Sequence, residues 1–313
     1  MNDSWIITDE NDENTRLDNY LSELFENFSR SHFQTLIKDG KVLINGEIKK
    51  PSYKLRVQDK IEIETQETGN REGVNEETEI NKQNIPLDII WEDENMAVIN
   101  KPSGMLTHPT ALEVENTLVN ALLYKYDENL SDINGYFRRG ILHRLDRNTS
   151  GLLMIAKNNK THEFLANQIK ERLVVKKYLA IVKGVIKEDS GIIDLPIGRN
   201  PHQPHKMMVI EDGKPSITEF KVLKRFKDCT FLELDLKTGR THQIRVHLSH
   251  LHHPIVNDSL YGGGGFKVKT QEQVLQSYKL SFTKPFDNDI IELEIEPDEK
   301  IKKVLTYLEN LKG

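Results

Sequence analysis

Between residues 14 and 64 the apolar positions recur first at helical spacing. Leu17, Tyr20, Leu21, Leu24 and Phe25 fall on one face of a helix, and Phe33, Leu36 and Ile37 on one face of a second. Ser29 or Ser31 is placed to cap the second helix, and Gly40 after Asp39 to stop it. The period then shortens. Residues 41–44 predict a strand, Asn45-Gly46 a hairpin turn, and residues 53–55 and 61–63 further short strands. The expected unit is a small α/β domain over 14–64, two helices followed by a small sheet.

Residues 65–84 are rich in Thr, Gln, Glu, Gly and Asn and nearly devoid of apolar side chains, which predicts a flexible linker. From residue 85 to 308 the character changes again. Strands are expected at 89–91, 96–100, 151–156, 178–182, 217–223, 230–236 and 290–295, with helices at 117–125 and 161–171. Many strands and few helices predict an α+β domain with a mixed, mostly antiparallel sheet. No internal repeat is evident.

The length of 313 residues fits about two domains, and 37% hydrophobic residues supply a sizeable core. No apolar run approaches the roughly 18 residues of a membrane span, and the acidic, polar start is not a secretory signal. The single cysteine, Cys229, forms no internal disulfide, so a cytoplasmic protein is expected. The net charge of −6 argues against nucleic acid, but its distribution does not. Residues 30–60 carry eight basic groups against three acidic ones, and residues 136–187 twelve against three. Phosphate binding depends on such local basic surface, although solvated helix faces would give the same count.

Three segments carry candidate chemistry. In 140–157 a loop bearing His143, Arg144, Asp146 and Arg147 runs straight into an apolar strand. Charges so near a core need partners, so an Arg–Asp pair bracing a turn and a functional carboxylate both remain open. In 237–247 a turn is followed by Arg240, His242, Arg245 and His247. His247, His250, His252 and His253 crowd together, but no Cys or acidic residue lies at a spacing that completes a metal site, so no metal is expected and surface or RNA-facing histidines are. In 175–180 Tyr178 reads locally as strand packing.

Taken together, these segments resemble one family. His143-Arg144-Leu145-Asp146, with Thr149-Ser150-Gly151-Leu152-Leu153, is similar to the central motif of the RluA-type pseudouridine synthases. Lys177-Tyr178-Leu179-Ala180 resembles that family's tyrosine motif, and residues 239–247 its arginine motif. Asn100-Lys101-Pro102-Ser103-Gly104 and residues 253–258 also match family segments. Arg16-Leu17-Asp18, Ser29-Arg30-Ser31, Gly40, Val42 and Asn45-Gly46 resemble the ribosomal protein S4-like RNA-binding domain.

The resemblance implies a pseudouridine synthase fold and RNA uridine isomerisation. The order of the two domains is that of members acting on large-subunit ribosomal RNA; transfer RNA, or a ribosome factor that has lost activity, are the alternatives. It implies Asp146 as the catalytic carboxylate, Arg245 as its charge partner and Tyr178 against the uracil. Arg144 is expected to fill the gap left by an extruded base. Arg147, Arg240, His242 and Lys177, with Arg30, Lys38 and Lys41 of the N-terminal block, are the expected RNA contacts. The reaction is redox-neutral with no net leaving group, so no cofactor is expected. The protein is expected to act on RNA as a monomer, away from membranes.

Overall fold

A computed structural model describes residues 2–7, 13–24, 30–64, 80–109, 113–127, 129–200, 206–270, 273–287 and 289–311, and shows two packed units with separate hydrophobic cores. The first unit runs β1 (Asn2–Ile6), α1 (Leu17–Leu24), α2 (Arg30–Lys38), β2 (Val42–Ile44), β3 (Glu47–Ile48) and β4 (Lys60–Glu64). Its antiparallel sheet has the order β1-β4-β2-β3. Leu17, Tyr20 and Leu21 of α1 and Phe33 and Ile37 of α2 pack on Val42, Ile44, Ile61 and Ile63, so the helical spacing in the sequence marks the face laid on the sheet. Asn45 (φ 54°) and Gly46 (φ 78°) both take the left-handed backbone that a two-residue hairpin requires.

Three boundaries differ from expectation. Residues 53–55 form no strand, because their backbone is committed to the entry of α1. Leu17 N donates to Tyr53 O (2.8 Å) and Leu55 N to Thr15 O (2.9 Å), which leaves only an isolated bridge between Arg16 and Lys54. β1 precedes the expected start at residue 14 and pairs with β4 from Asn2↔Glu64 to Ile6↔Lys60. Of the expected linker, 65–79 lies outside the described residues, while 80–84 is docked. Ile80 is buried in the core of the second unit, and the Asn120 side chain donates to Asn81 O at 2.9 Å.

The second unit comprises β5 (Ile89–Glu92), β6 (Met96–Lys101), α3 (Leu118–Tyr126), β7 (Ser150–Ala156), α4 (Asn159–Lys170), β8 (Val175–Lys183), β9 (Ser190–Asp194), β10 (Ile197–Arg199), β11 (Met207–Val209), β12 (Ile217–Arg225), β13 (Cys229–Leu236), α5 (Gln243–His250), β14 (Leu275–Thr283), β15 (Ile290–Glu294) and α6 (Glu299–Asn310). The main sheet has the order β5-β6-β7-β14-β8-β13-β12-β9, with β15 also on β14 and β10–β11 as a separate hairpin. Neighbours are antiparallel except β7 and β14. Both faces are covered. Ala97 and Ile99 of β6 join a core with α3, α5 and α6, while Met96 and Val98 join another with Leu165 of α4.

One row across this sheet positions the site. Lys101 lies opposite Gly151, Gly151 opposite Ser277, Ser277 opposite Tyr178, and Tyr178 opposite Leu234. A Cβ on Gly151 would lie 1.9 Å from Ser277 O, so only glycine lets β7 and β14 approach there. The loop carrying Asp146 ends at Ser150, and the row therefore brings it beside Tyr178, although the two are far apart in sequence.

Candidate active site

The loop 145–149 is fixed through its own carbonyls. Thr107 Oγ1 donates to Leu145 O (3.0 Å), Lys101 Nζ and Gly104 N to Arg147 O (3.0 and 2.9 Å), and Ser103 Oγ and Lys300 Nζ to Asn148 O (2.8 and 2.9 Å). Lys101 is fully buried. Its Nζ also donates to Pro102 O (2.9 Å) and Met105 O (2.8 Å), so three carbonyls match the three N–H bonds of an ammonium. Burial, with nearby Lys300, pulls its pKa down to about 7, against the attraction of Asp146. His143, in the same motif, is occupied in accepting from Met154 N at 3.1 Å, and burial takes it down to about 3.

Arg245 of α5 links two carboxylates. Its Nη1 donates to Asp146 Oδ2 (2.9 Å), its Nε to Asp258 Oδ2 (2.7 Å) and its Nη2 to Asp258 Oδ1 (3.0 Å). Asp258 is fully buried and also accepts from Leu260 N and Tyr261 N. The Tyr261 ring lies 5.0 Å from the guanidinium. Of the three charged groups, Asp146 is the most accessible, with 20% of its side chain exposed against 8% for Arg245 and 1% for Asp258.

Helix α5 is itself held by buried polar groups. Gln243 accepts from Thr238 Oγ1 and Arg240 N and donates to Ile217 O and Thr218 Oγ1. His247 is fully buried between Thr218 Oγ1 (3.0 Å) and Leu195 O (2.9 Å), and His253 bonds Lys183 O. The expectation of surface or RNA-facing histidines thus fails for His247, which anchors the helix to the sheet. Among the described residues, no group of three His, Cys, Asp or Glu side chains is arranged to hold a metal ion.

The electrostatics favour an ionised Asp146. Burial opposes its charge, but the positive surroundings more than compensate, and the carboxyl titrates below its ordinary value. A protonated His242 would act on it most strongly, followed by Arg245. Burial also lowers His242, so at neutral pH its imidazole is uncharged and the field on Asp146 is that of Arg245, with Arg144 behind it. Arg245 stays charged because both carboxylates outweigh its burial. Burial raises the Tyr178 hydroxyl well above its ordinary value, and nearby Asp146 adds to this, so the phenol keeps its proton.

The expected site residues divide. Asp146, Tyr178, Arg245, Arg144, Arg240 and His242 line one cleft. Arg147 and Lys177 do not line it. Arg147 pairs with Glu113 through two bonds (2.8 and 2.6 Å), and Lys177, next to Tyr178 on a strand, projects from the other face and pairs with Glu233 at 2.9 Å. Lys38 and Lys41 belong to the first unit, Lys38 exposed at the end of α2, and the side chain of Arg30 lies outside the described residues. Sequence reasoning assigned no role to Lys101, Thr107, Asp258, Tyr261 or Lys300. Lys101 and Asp258 lie inside motif segments quoted above, but their partners come from distant parts of the chain.

Comparison with known proteins gives this arrangement its context. A family model described as RNA pseudouridylate synthase matches residues 95–250, which contain Asp146, Tyr178 and Arg245. An uncharacterized RNA pseudouridine synthase of Aquifex aeolicus is 40% identical over 307 residues, covering 95% of both chains. The chain belongs to the RNA pseudouridine synthase family. A ribosomal large subunit pseudouridine synthase D of Xanthomonas campestris is 37% identical, covering 94% of this chain and 88% of that one. A solved structure, human RNA pseudouridylate synthase domain containing 1, aligns with a TM-score of 0.56 at 26% identity, over 75% of this chain and 98% of that one. An S4-domain model matches residues 15–61, so the synthase carries that RNA-binding module ahead of its catalytic sheet.

Proposed function

We propose that this synthase isomerises specific uridines of large-subunit ribosomal RNA, with Asp146 as the catalytic carboxylate, acting as a monomer in the cytoplasm. The observation that carries the reading is the chain Asp146–Arg245–Asp258 beside Tyr178. It keeps an accessible carboxylate charged in a mostly buried cleft, where water would otherwise have to do so. Isomerisation separates uracil from C1′ of the ribose, turns the base and rejoins it through C5. An ionised Asp146 serves either as a nucleophile or as a base taking a proton from the sugar. Tyr178 borders the cleft as a neutral phenol, suited to lie against the uracil ring.

The target nucleotide has to leave its stack to reach such a cleft, at a cost of a few kcal/mol. Exposed Arg144, on the cleft rim, is placed to fill the vacated position, and Arg240 to meet the backbone. Lys38 and Lys41 extend the basic surface on the first unit. Ribosomal RNA is favoured over transfer RNA by the S4-domain match and by relatives whose names specify the ribosomal large subunit. No described helix is long and apolar enough to cross a membrane.

The test is Asp146→Asn, nearly isosteric but neither basic nor nucleophilic. We expect at least a thousandfold loss of pseudouridine formation, the scale on which single catalytic groups act, with RNA affinity retained. Pseudouridine maps of ribosomal and transfer RNA from cells with and without the gene then identify the substrate. A missing pseudouridine confined to transfer RNA would overturn the ribosomal assignment, and turnover by Asp146→Asn would overturn the role of the carboxylate.

A further inference from the structure

His242 also lines the cleft. It occupies the N-cap position of α5 with a left-handed backbone (φ 55°, ψ 19°) and makes no side-chain capping bond. A non-glycine residue in that region is uncommon and, when the surroundings enforce it, often belongs to a functional site. The conformation places the imidazole in the cleft, with Nε2 3.9 Å from Asp146 Oδ2. That is too long for a hydrogen bond, and Arg245 already donates to that oxygen at 2.9 Å. No hydrogen bond joins His242 Nε2 to any described residue.

The other ring nitrogen determines what Nε2 is. His242 Nδ1 lies 2.8 Å from Tyr261 Oη, and the two rings meet edge to face at 5.5 Å. The backbone N–H of Met207 donates to the same Tyr261 oxygen at 2.9 Å. An amide N–H can only donate, so the hydroxyl accepts there. Its own proton has no other acceptor among the described residues than His242 Nδ1. Nδ1 is therefore the acceptor, and the ring proton resides on Nε2. An imidazolium would put a second N–H against the Tyr261 proton. Burial, Arg245 and Arg144 also disfavour it, and the opposing pull of Asp146 and Asp258 is not enough to reverse this.

The reaction needs such a donor. When the C1′–N1 bond breaks, its electron pair stays with the base and the charge spreads over N1, O2 and O4. Forming the C1′–C5 bond uses a pair from the ring; C5 then releases its proton and N1 takes one up. A neutral N–H aimed at a carbonyl oxygen stabilises the anionic stage without giving its proton away. We propose that His242 is a catalytic residue whose Nε2–H donates to a uracil carbonyl oxygen as the base separates from the ribose, and that Tyr261 is a positioning residue that fixes the tautomer. The proposal rests on the synthase reading of Asp146 given above.

The tautomer is read in the free enzyme. Nitrogen-15 NMR of histidine-labelled protein at neutral pH should show an Nε2–H, Nδ1-bare ring for His242, and Tyr261→Phe should abolish that preference. Turnover is read as tritium release from large-subunit ribosomal RNA transcribed in vitro with C5-tritiated uridine. His242→Asn tolerates the left-handed backbone but cannot reach the Nε2 position, and should slow the single-turnover rate about a hundredfold, as loss of one such donor does. His242→Gln, whose amide reaches that position, should recover most of the rate. Tyr261→Phe should slow the wild type but add nothing to His242→Asn, and RNA affinity should change less than about threefold throughout.

An Nδ1–H ring or an imidazolium in the free enzyme would overturn the proposal. So would equal losses in the Asn and Gln variants, or a Tyr261→Phe effect that multiplies onto His242→Asn. Failure of the wild type to release tritium from that RNA would instead count against the substrate reading, because the tautomer is measured without turnover.

Discussion

The two faces of β8 look onto the same kinds of charged residue with opposite consequences. Tyr178 faces the cleft, where Asp146, Arg245 and Asp258 form a chain that is 1–20% exposed. Its neighbour Lys177 faces the other way, into a lattice in which Lys177 bonds Glu233, Glu233 takes the Tyr278 hydroxyl, Lys237 bonds Asp235 and Lys279 meets Glu294. On that outer face water shares in screening every pair, and single pairs contribute about 0–1 kcal/mol. In the cleft water is largely excluded. There a lost partner leaves a desolvated charge, at about 3–5 kcal/mol. Residue type thus does not separate a functional charge from a solvated one; the number of partners a charge needs in order to remain buried does.

The largest effect should come from Asp258→Ala. Arg245 would then keep a single partner, Asp146, and would lose both bonds that aim its guanidinium. Urea unfolding should show a loss of about 3–5 kcal/mol, together with a severe loss of turnover. Asp258→Asn, which can still accept from Arg245, should be milder in both. A stability loss below about 1 kcal/mol for Asp258→Ala would mean that this region behaves like the outer face.

A smaller effect is expected at Lys101, with a definite sign. Its pKa is pulled down to about 7 by burial, while an unfolded lysine titrates near 10.4. Between those values the unfolded chain binds more protons than the folded one, so the contribution of Lys101 to stability increases with pH across that window, by up to about 1.4 kcal/mol per pH unit. Below it, burial of the ammonium is only partly offset by the three carbonyls. The stability of the wild type relative to Lys101→Met should therefore rise between pH 7 and pH 9. A constant difference would show that the carbonyls hold the ammonium protonated throughout.

How far this contrast could be read in the sequence depends on where the partners lie. The strands with apolar runs, such as 96–100 and 151–156, and the helices of the first unit were legible because burial follows periodicity. β14 was not. Its first half contains Gln276-Ser277, both buried and satisfied, Gln276 by Glu296 O and Asp298 N and Ser277 by Leu152 O, which leaves only the short alternation of Tyr278, Leu280 and Phe282 with Lys279, Ser281 and Thr283 to mark it. α5 is hidden for the same reason, since its inward face includes Gln243, Arg245 and His247. α6 differs in that its signal is plain. Asp298 caps Ile301 N, and Ile301, Val304 and Leu308 recur at helical spacing. At the site, Asp146, Tyr178 and Arg245 stood out through motif resemblance. The groups that fix them, Lys101, Lys300, Asp258 and Tyr261, act across the sheet row or across loops, and no local pattern encodes such pairings.

The smallest effect is expected at Lys177, and it is the sharpest test of the comparison because Lys177 adjoins Tyr178. Its side chain is 30% exposed, and its ammonium pairs with Glu233 at 2.9 Å. Removing it does not orphan Glu233, which also accepts the Tyr278 hydroxyl and is partly solvated. Lys177→Ala should therefore change stability by less than about 1 kcal/mol and leave single-turnover rates at saturating RNA unchanged. The salt dependence of RNA binding separates the two roles open to this lysine. A phosphate contact would lower the slope by about 0.7 to 0.9 when removed, whereas a lysine already paired on the outer face should leave it unaltered. We expect the unaltered slope. A reduced one would mean that RNA wraps round to the outer face and opens the Lys177–Glu233 pair, and the division of β8 into a working face and a solvated face would then have to be redrawn.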